Sequence, residues 1–241
     1  MNPLEIGVNR GTTLLQRSGS IGGARYVFYK LKGIKNQLVY PIFGGIIKNA
    51  FTQVPAKMFA GDLIEFRLDN NGLNPAVYIL KTFEVAKASS SEAKLLIKRD
   101  GYRHRPCVGD KIGVAPLKIG GAITTPSTVT AVKEAHTGSE GDVWELTLSA
   151  TATFSKNAIL VEADNENNMM VKEINAFADS DVDFCYVPST GEEDFDGARY
   201  MYTPAIGGAM MFISRMSKMP KCVLDKNVSR LNGLYQLPSI G

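Results

Sequence analysis

Gly141-Asp142-Val143-Trp144-Glu145-Leu146-Thr147-Leu148 sets a turn signal directly ahead of a run in which apolar and polar side chains alternate. Glycine takes the positive φ of a tight turn, an aspartate carboxylate bonds the turning backbone, and alternation then sends every second side chain to a buried face. The same dipeptide opens Gly61-Asp62-Leu63-Ile64-Glu65-Phe66 and Gly109-Asp110-Lys111-Ile112-Gly113-Val114. Between these runs the residue pattern predicts strands at 76–86, 93–98, 129–134 and 158–162. Short strands divided by turn signals at this spacing predict a mainly β protein, with an antiparallel β-barrel or sandwich over residues 45–164.

Working outward, residues 1–44 read as an extended basic arm with short strands. Gly7, Gly11, Gly19, Gly22 and Gly23 are scattered among hydroxyl residues, and Leu14, Leu15 and Ile21 offer apolar anchors among them. Such a segment buries too little to fold alone, so it lies across a partner or tucks against its own domain. Toward the other end, Asn165-Glu166-Asn167-Asn168 is a polar break. Residues 165–241 read as a smaller β-rich docking region. It contains Ala209-Met210-Met211-Phe212-Ile213-Ser214-Arg215-Met216-Ser217-Lys218-Met219, whose methionines suit an adaptable contact surface or ordinary core packing.

Charge is segregated along the chain. Residues 1–60 carry eight Lys or Arg against Glu5, residues 140–200 carry fourteen Asp or Glu against Lys156, Lys172 and Arg199, and the tail from 201 is basic again. Separate blocks of opposite sign allow head-to-tail complementarity between copies, or simply solvate different faces. With 44% hydrophobic and 21% charged residues among 241, the composition supports a buried core and not a disordered chain. Three widely spaced cysteines, Cys107, Cys185 and Cys222, form no Cys-x-x-Cys pair, which argues against a disulfide framework or thiolate metal site and for folding in a reducing cytoplasm. The start lacks a secretory pattern, and no apolar run approaches the roughly 20 residues of a membrane span, so no membrane partner is expected.

Catalytic equipment is sparse. His104 and His136 are the only imidazoles, and both read as loop histidines far from any nucleophile signature, so no catalytic residues are assigned. Ser18-Gly19-Ser20-Ile21-Gly22-Gly23 lacks the Lys-Ser/Thr ending of a phosphate loop, and the acidic run at 192–196 lacks calcium-loop spacing. No cofactor and no metal are expected. Arg99-Asp100-Gly101-Tyr102-Arg103-His104-Arg105-Pro106 carries a hairpin signal and reads as an exposed charged loop, or as a grip for phosphate or glycan through Arg103 and Arg105.

The segment Ile46-Ile47-Lys48-Asn49-Ala50-Phe51-Thr52-Gln53-Val54-Pro55-Ala56-Lys57-Met58-Phe59-Ala60-Gly61-Asp62, the later Val108-Gly109-Asp110-Lys111-Ile112-Gly113-Val114 and the ending Arg215-Met216-Ser217-Lys218-Met219-Pro220-Lys221-Cys222-Val223-Leu224-Asp225-Lys226-Asn227 resemble the capsid decoration, auxiliary capsid and head-fibre proteins of tailed bacteriophages, those of the crAss-like Bacteroides phages in particular. The resemblance touches about half the chain. It implies a non-enzymatic structural protein on the capsid surface of the virion, made in the host bacterial cytoplasm. Its partners would be the major capsid protein and further copies of itself, commonly as a trimer, with no nucleic acid. The resemblance lends no contact residues; from charge and apolarity, the expected contacts are Arg10, Leu14, Leu15, Arg17 and Arg25 of the arm and Met210, Met211, Arg215 and Met216 of the tail. A neck or tail component, or a nucleic-acid or glycan-binding β module using the Arg103–Arg105 loop, is the alternative.

Overall fold

The computed structural model describes residues 45–47, 56–58, 62–67, 76–99, 103–174, 176–178, 182–184, 200–201, 205–206, 209–212, 218–224 and 234–237. These form strands β1 (Gly45–Ile47), β2 (Ala56–Met58), β3 (Leu63–Arg67), β4 (Ala76–Ile79), β5 (Thr82–Glu84), β6 (Ser89–Lys98), β7 (Lys111–Val114) and β8 (Thr124–Thr137). They continue with β9 (Gly141–Phe154), β10 (Ile159–Glu162), β11 (Ala176–Ala178), β12 (Val182–Phe184), β13 (Tyr200–Met201), β14 (Ala205–Ile206), β15 (Ala209–Phe212) and β16 (Leu234–Leu237). The chain is mainly β, and one helical turn at 221–224 is the helix among the described residues.

The turn-and-strand signals mark the larger continuous part. The hairpin of β8 and β9 turns through 138–140, with Thr137 opposite Gly141. Gly141 has φ +73°, and the Glu140 N–H donates to the Thr137 hydroxyl at 3.1 Å. Along β9, Trp144, Leu146 and Leu148 face inward. Leu146 lies opposite Leu95 and Trp144 opposite Ile97, so apolar cross-strand pairs fix the register of β6 on β9.

One six-stranded antiparallel sheet has the order β5-β10-β7-β8-β9-β6. Its end strands also meet: Val85 bridges Ile97, and the Ala86 N–H donates to the Leu96 carbonyl at 2.8 Å. The second six-stranded sheet has the order β13-β1-β4-β3-β11-β14, with β1 parallel to β4 and the other pairs antiparallel. Two-stranded pairs β12-β2 and β15-β16 complete the described strands. Pairing crosses the expected boundary at 165, because β11 lies on β3, β12 on β2 and β13 on β1.

Strand β10 holds the two cores together. Its neighbours Leu160 and Val161 point to opposite faces, as pleating demands. Leu160 joins Phe83, Val85, Leu95, Ile97, Ile112, Val129, Trp144, Leu146, Leu148 and Phe154. Val161 joins Leu63, Leu80, Ile123, Ala163, Met169, Val171, Ile174, Cys222 and Val223. Gly113 in β7 admits no side chain, since a Cβ there would lie 2.6 Å from Ile123 Cδ1 and 2.7 Å from the Thr124 carbonyl oxygen.

Four expectations change. The single strand at 76–86 is two, β4 and β5, which belong to different sheets. The chain crosses between them at Leu80-Lys81, where the Leu80 N–H donates to the Leu63 carbonyl. Asp100 and Gly101 lie outside the described residues, but β6 and β7 on either side are not neighbours in the sheet, so these two strands form no hairpin with each other. His136 is a strand residue of β8 opposite Asp142, because the hairpin turns one residue beyond Thr137 and not at the histidine. Arg103-His104-Arg105 is not an exposed loop: His104 is buried and the arginines are partly covered.

Candidate functional site

The three Gly-Asp dipeptides put three carboxylates to different uses. Asp110 answers the expectation most fully: Gly109 has φ +94°, and Asp110 Oδ2 accepts the Cys107 N–H at 2.9 Å across the turn. Asp62 is buried and shares a 2.8 Å hydrogen bond with His104 Nε2. Asp142 is exposed and pairs with the His136 ring at 2.8 Å, a bond that holds its carboxyl below the usual carboxylate range. His104, read as a loop histidine, is therefore a buried tether between two distant segments.

The densest chemistry lies at the two ends of β5. Lys81 is fully buried, with its Nζ 2.9 Å from Asp110 Oδ1 and 3.2 Å from Glu162 Oε1. Burial works to strip the proton from this ammonium; the charges of Asp110 and Glu162 outweigh it and raise the pKa above the ordinary lysine value. Three residues on, the Glu84 side chain is buried among Lys98 at 2.6 Å, Lys218 at 3.0 Å and Arg103 at 2.7 Å. Burial would raise its pKa, but the hydrogen bonds from Lys98, Lys218 and Arg103 prevail and lower it to about 2. Arg103 thus turns inward onto Glu84, and Arg105 stacks over the Trp144 ring at 5.3 Å with Arg99 at 4.9 Å.

A third cluster ties the segment after 165 to β3. Arg67 forks onto Glu65 at 2.7 and 2.8 Å, lies 3.9 Å over the Tyr78 ring and donates to the Met170 carbonyl. Glu65 in turn accepts the Lys172 N–H at 2.7 Å. The polar break at 165–168 is a turn held from before it, since Asp164 Oδ1 accepts the N–H groups of Glu166 and Asn168.

The described surface offers one apolar feature of note. Leu117 is 97% exposed, at a groove of about 320 Å³ lined also by Val114, Ala115, Pro116, Ile159, Pro220, Lys221 and Cys222. Lys118 and Lys221 are exposed beside it. Among the described residues no group of three His, Cys, Asp or Glu side chains is placed to hold a metal ion.

Of the contact residues expected from the sequence, Arg10, Leu14, Leu15, Arg17, Arg25, Arg215 and Met216 lie outside the described residues. Met210 and Met211 fall in β15, opposite Tyr235 and Gln236 of the parallel strand β16, so this part of the methionine-rich run is strand. The sequence reading missed Lys81, Glu84, Glu162 and Leu117. The available signal for the first was a lysine inside Ile79-Leu80-Lys81-Thr82-Phe83, an otherwise apolar run. Against protein-family models, curated proteins and solved structures, the chain has no match.

Proposed function

We propose that this chain is a non-enzymatic structural protein that docks on the outer surface of a phage capsid, as an auxiliary, decoration or head-fibre protein, and either reinforces the shell or displays a surface. The observation that carries this reading is where the polar chemistry points. Lys81 is turned inward onto Asp110 and Glu162, the buried Glu84 carboxylate is held by Lys98, Arg103 and Lys218, and Asp62 is hydrogen-bonded to His104, while the described surface presents apolar shape at Leu117 and its groove. The sequence resemblance and the separated basic and acidic blocks support adhesion to the major capsid protein and to further copies, with a trimer the favoured oligomer. Within this reading the first sheet is a barrel, a form without free edges that resists unwanted strand-to-strand polymerisation, and the bridge between Val85 and Ile97 supports that form.

A neck or tail position is served by the same adhesive scaffold. The nucleic-acid or glycan alternative loses support, because Arg103 is engaged with Glu84 and Arg105 with Trp144. The test is co-sedimentation with capsids of a chain lacking residues 1–30. The truncated chain is expected to keep its β circular-dichroism signal and to stay in the supernatant. Undiminished binding would remove the arm from the mechanism. Binding to nucleic acid that falls steeply with added salt, with none to capsids, would favour the alternative.

A further inference from the structure

Three adjacent strands end side by side in the first sheet. Lys81 immediately precedes β5, Glu162 closes β10 and Asp110 immediately precedes β7. The registers Val161↔Thr82 and Glu162↔Ile112 set β10 between the other two, and the Ala163 N–H donates to the Lys111 carbonyl at 2.7 Å. Lys81 and Asp110 therefore converge beside Glu162. Nζ lies 2.9 Å from Asp110 Oδ1 and 3.2 Å from Glu162 Oε1, and the other Asp110 oxygen accepts the Cys107 N–H at 2.9 Å. The three side chains are 0%, 4% and 10% exposed. Core residues Leu80, Val161 and Ala163 adjoin Lys81 and Glu162 in sequence, and the buried Ile112 lies two residues beyond Asp110.

An amine, a carboxyl carbon and a second carboxyl able to carry protons, held together away from water, are the parts needed to make an amide. We propose that Lys81 and Asp110 condense into an intramolecular isopeptide bond, with Glu162 as the proton carrier. The ion pair is the reactant. Lys81 passes a proton to Glu162, and the freed Nζ lone pair attacks Asp110 Cγ. Negative charge collects on Oδ2, where the Cys107 N–H stabilises it. Nζ then loses a second proton, both protons reach Oδ1 by way of Glu162, and the Cγ–Oδ1 bond breaks to release water. One C–N bond has formed and one C–O bond has broken, nothing is oxidised or reduced, and Glu162 ends as the carboxylate it was.

Proximity removes the entropic part of the barrier. The product replaces two desolvated charges with a neutral amide, and water released from a dry site is not at hand to reverse the step. The bond would tie β5 to β7 across β10, a covalent staple that needs no oxidising compartment. It stands independently of the capsid reading.

The experiment is intact-mass spectrometry of the denatured full-length chain with a peptide map. The expected result is a mass one water below the sequence value, with the peptide bearing Lys81 joined to the peptide bearing Asp110. A full sequence mass overturns the proposal. Succinimide closure at Asp100-Gly101 loses the same water, so a loss mapped there with Lys81 unmodified also overturns it. Glu162→Gln is expected to restore the full mass while the β circular-dichroism signal persists; a folded variant still linked between Lys81 and Asp110 overturns the role of Glu162. Should that variant fail to fold, the peptide map of the unaltered chain decides alone.

Discussion

Lys81 and Glu84 flank the short strand β5, and each keeps a charge indoors with the opposite stoichiometry. Lys81 sets one ammonium between two carboxylates, all three nearly inaccessible. Glu84 sets one carboxylate among three cations, two of which, Lys98 and Lys218, reach it from side chains 33% and 59% exposed. Buried charges are tolerated only while they remain paired, and a long exposed lysine has water as an alternative partner. The first site is therefore closed, and the second is graded. The second is also a clasp, since Lys218 belongs to the segment that packs Met219, Cys222 and Val223 onto the core around Val161.

The widest effect is expected where the closed site is broken. Lys81→Met leaves Asp110 and Glu162 facing each other with neither the ammonium nor the amide it is proposed to form, and a loss of at least about 3–5 kcal/mol in chemical denaturation is expected. A loss under about 1 kcal/mol would erase the distinction between the two sites. Glu84→Gln should cost less, about 1–3 kcal/mol, because Lys98 and Lys218 can turn to solvent and only Arg103 is largely covered.

Acid titration sharpens the same contrast. The folded Glu84 pKa of about 2 lies below the ordinary 4.5, so in that window the unfolded chain binds more protons than the folded one. The stabilisation from Glu84 is present above pH 4.5 and is lost as the pH falls toward 2. Glu84→Gln should flatten that part of the stability profile; an unchanged slope would assign the acid sensitivity to other carboxylates. The smallest effect belongs to Lys218→Ala. With two cations left on Glu84, thermal unfolding should register a loss within about 0.5 kcal/mol, and a larger loss would mean that the clasp, not the charge count, carries the segment.

The strands of the continuous region were legible because their signals are local. A glycine free to take positive φ at 109 and 141, and alternation along 143–148, need no knowledge of the rest of the chain. The order β5-β10-β7-β8-β9-β6 was not legible, because it depends on pairings between residues as distant as Thr82 and Val161. The sheet switch at Leu80-Lys81 was hidden for a related reason: an apolar run reads as one strand whichever sheet each half joins. Polar residues misled the reading most. Asp110 was visible as a turn former but not as the partner of Lys81, and His104 looked solvated between two arginines because nothing nearby in sequence announces Asp62. Periodicity reports which face a residue occupies; it does not report who meets a charge there. Leu117 escaped notice because a lone exposed leucine has no sequence signature of its own.

Adhesion to a capsid is the claim on which the functional reading rests, and electron cryo-microscopy of the parent particle tests it most directly. The expected result is density for this β scaffold repeated at symmetry-related positions on the outer shell, in contact with the major capsid protein. Particles whose outer shell is complete without such density, with the chain absent or free in solution, would contradict it.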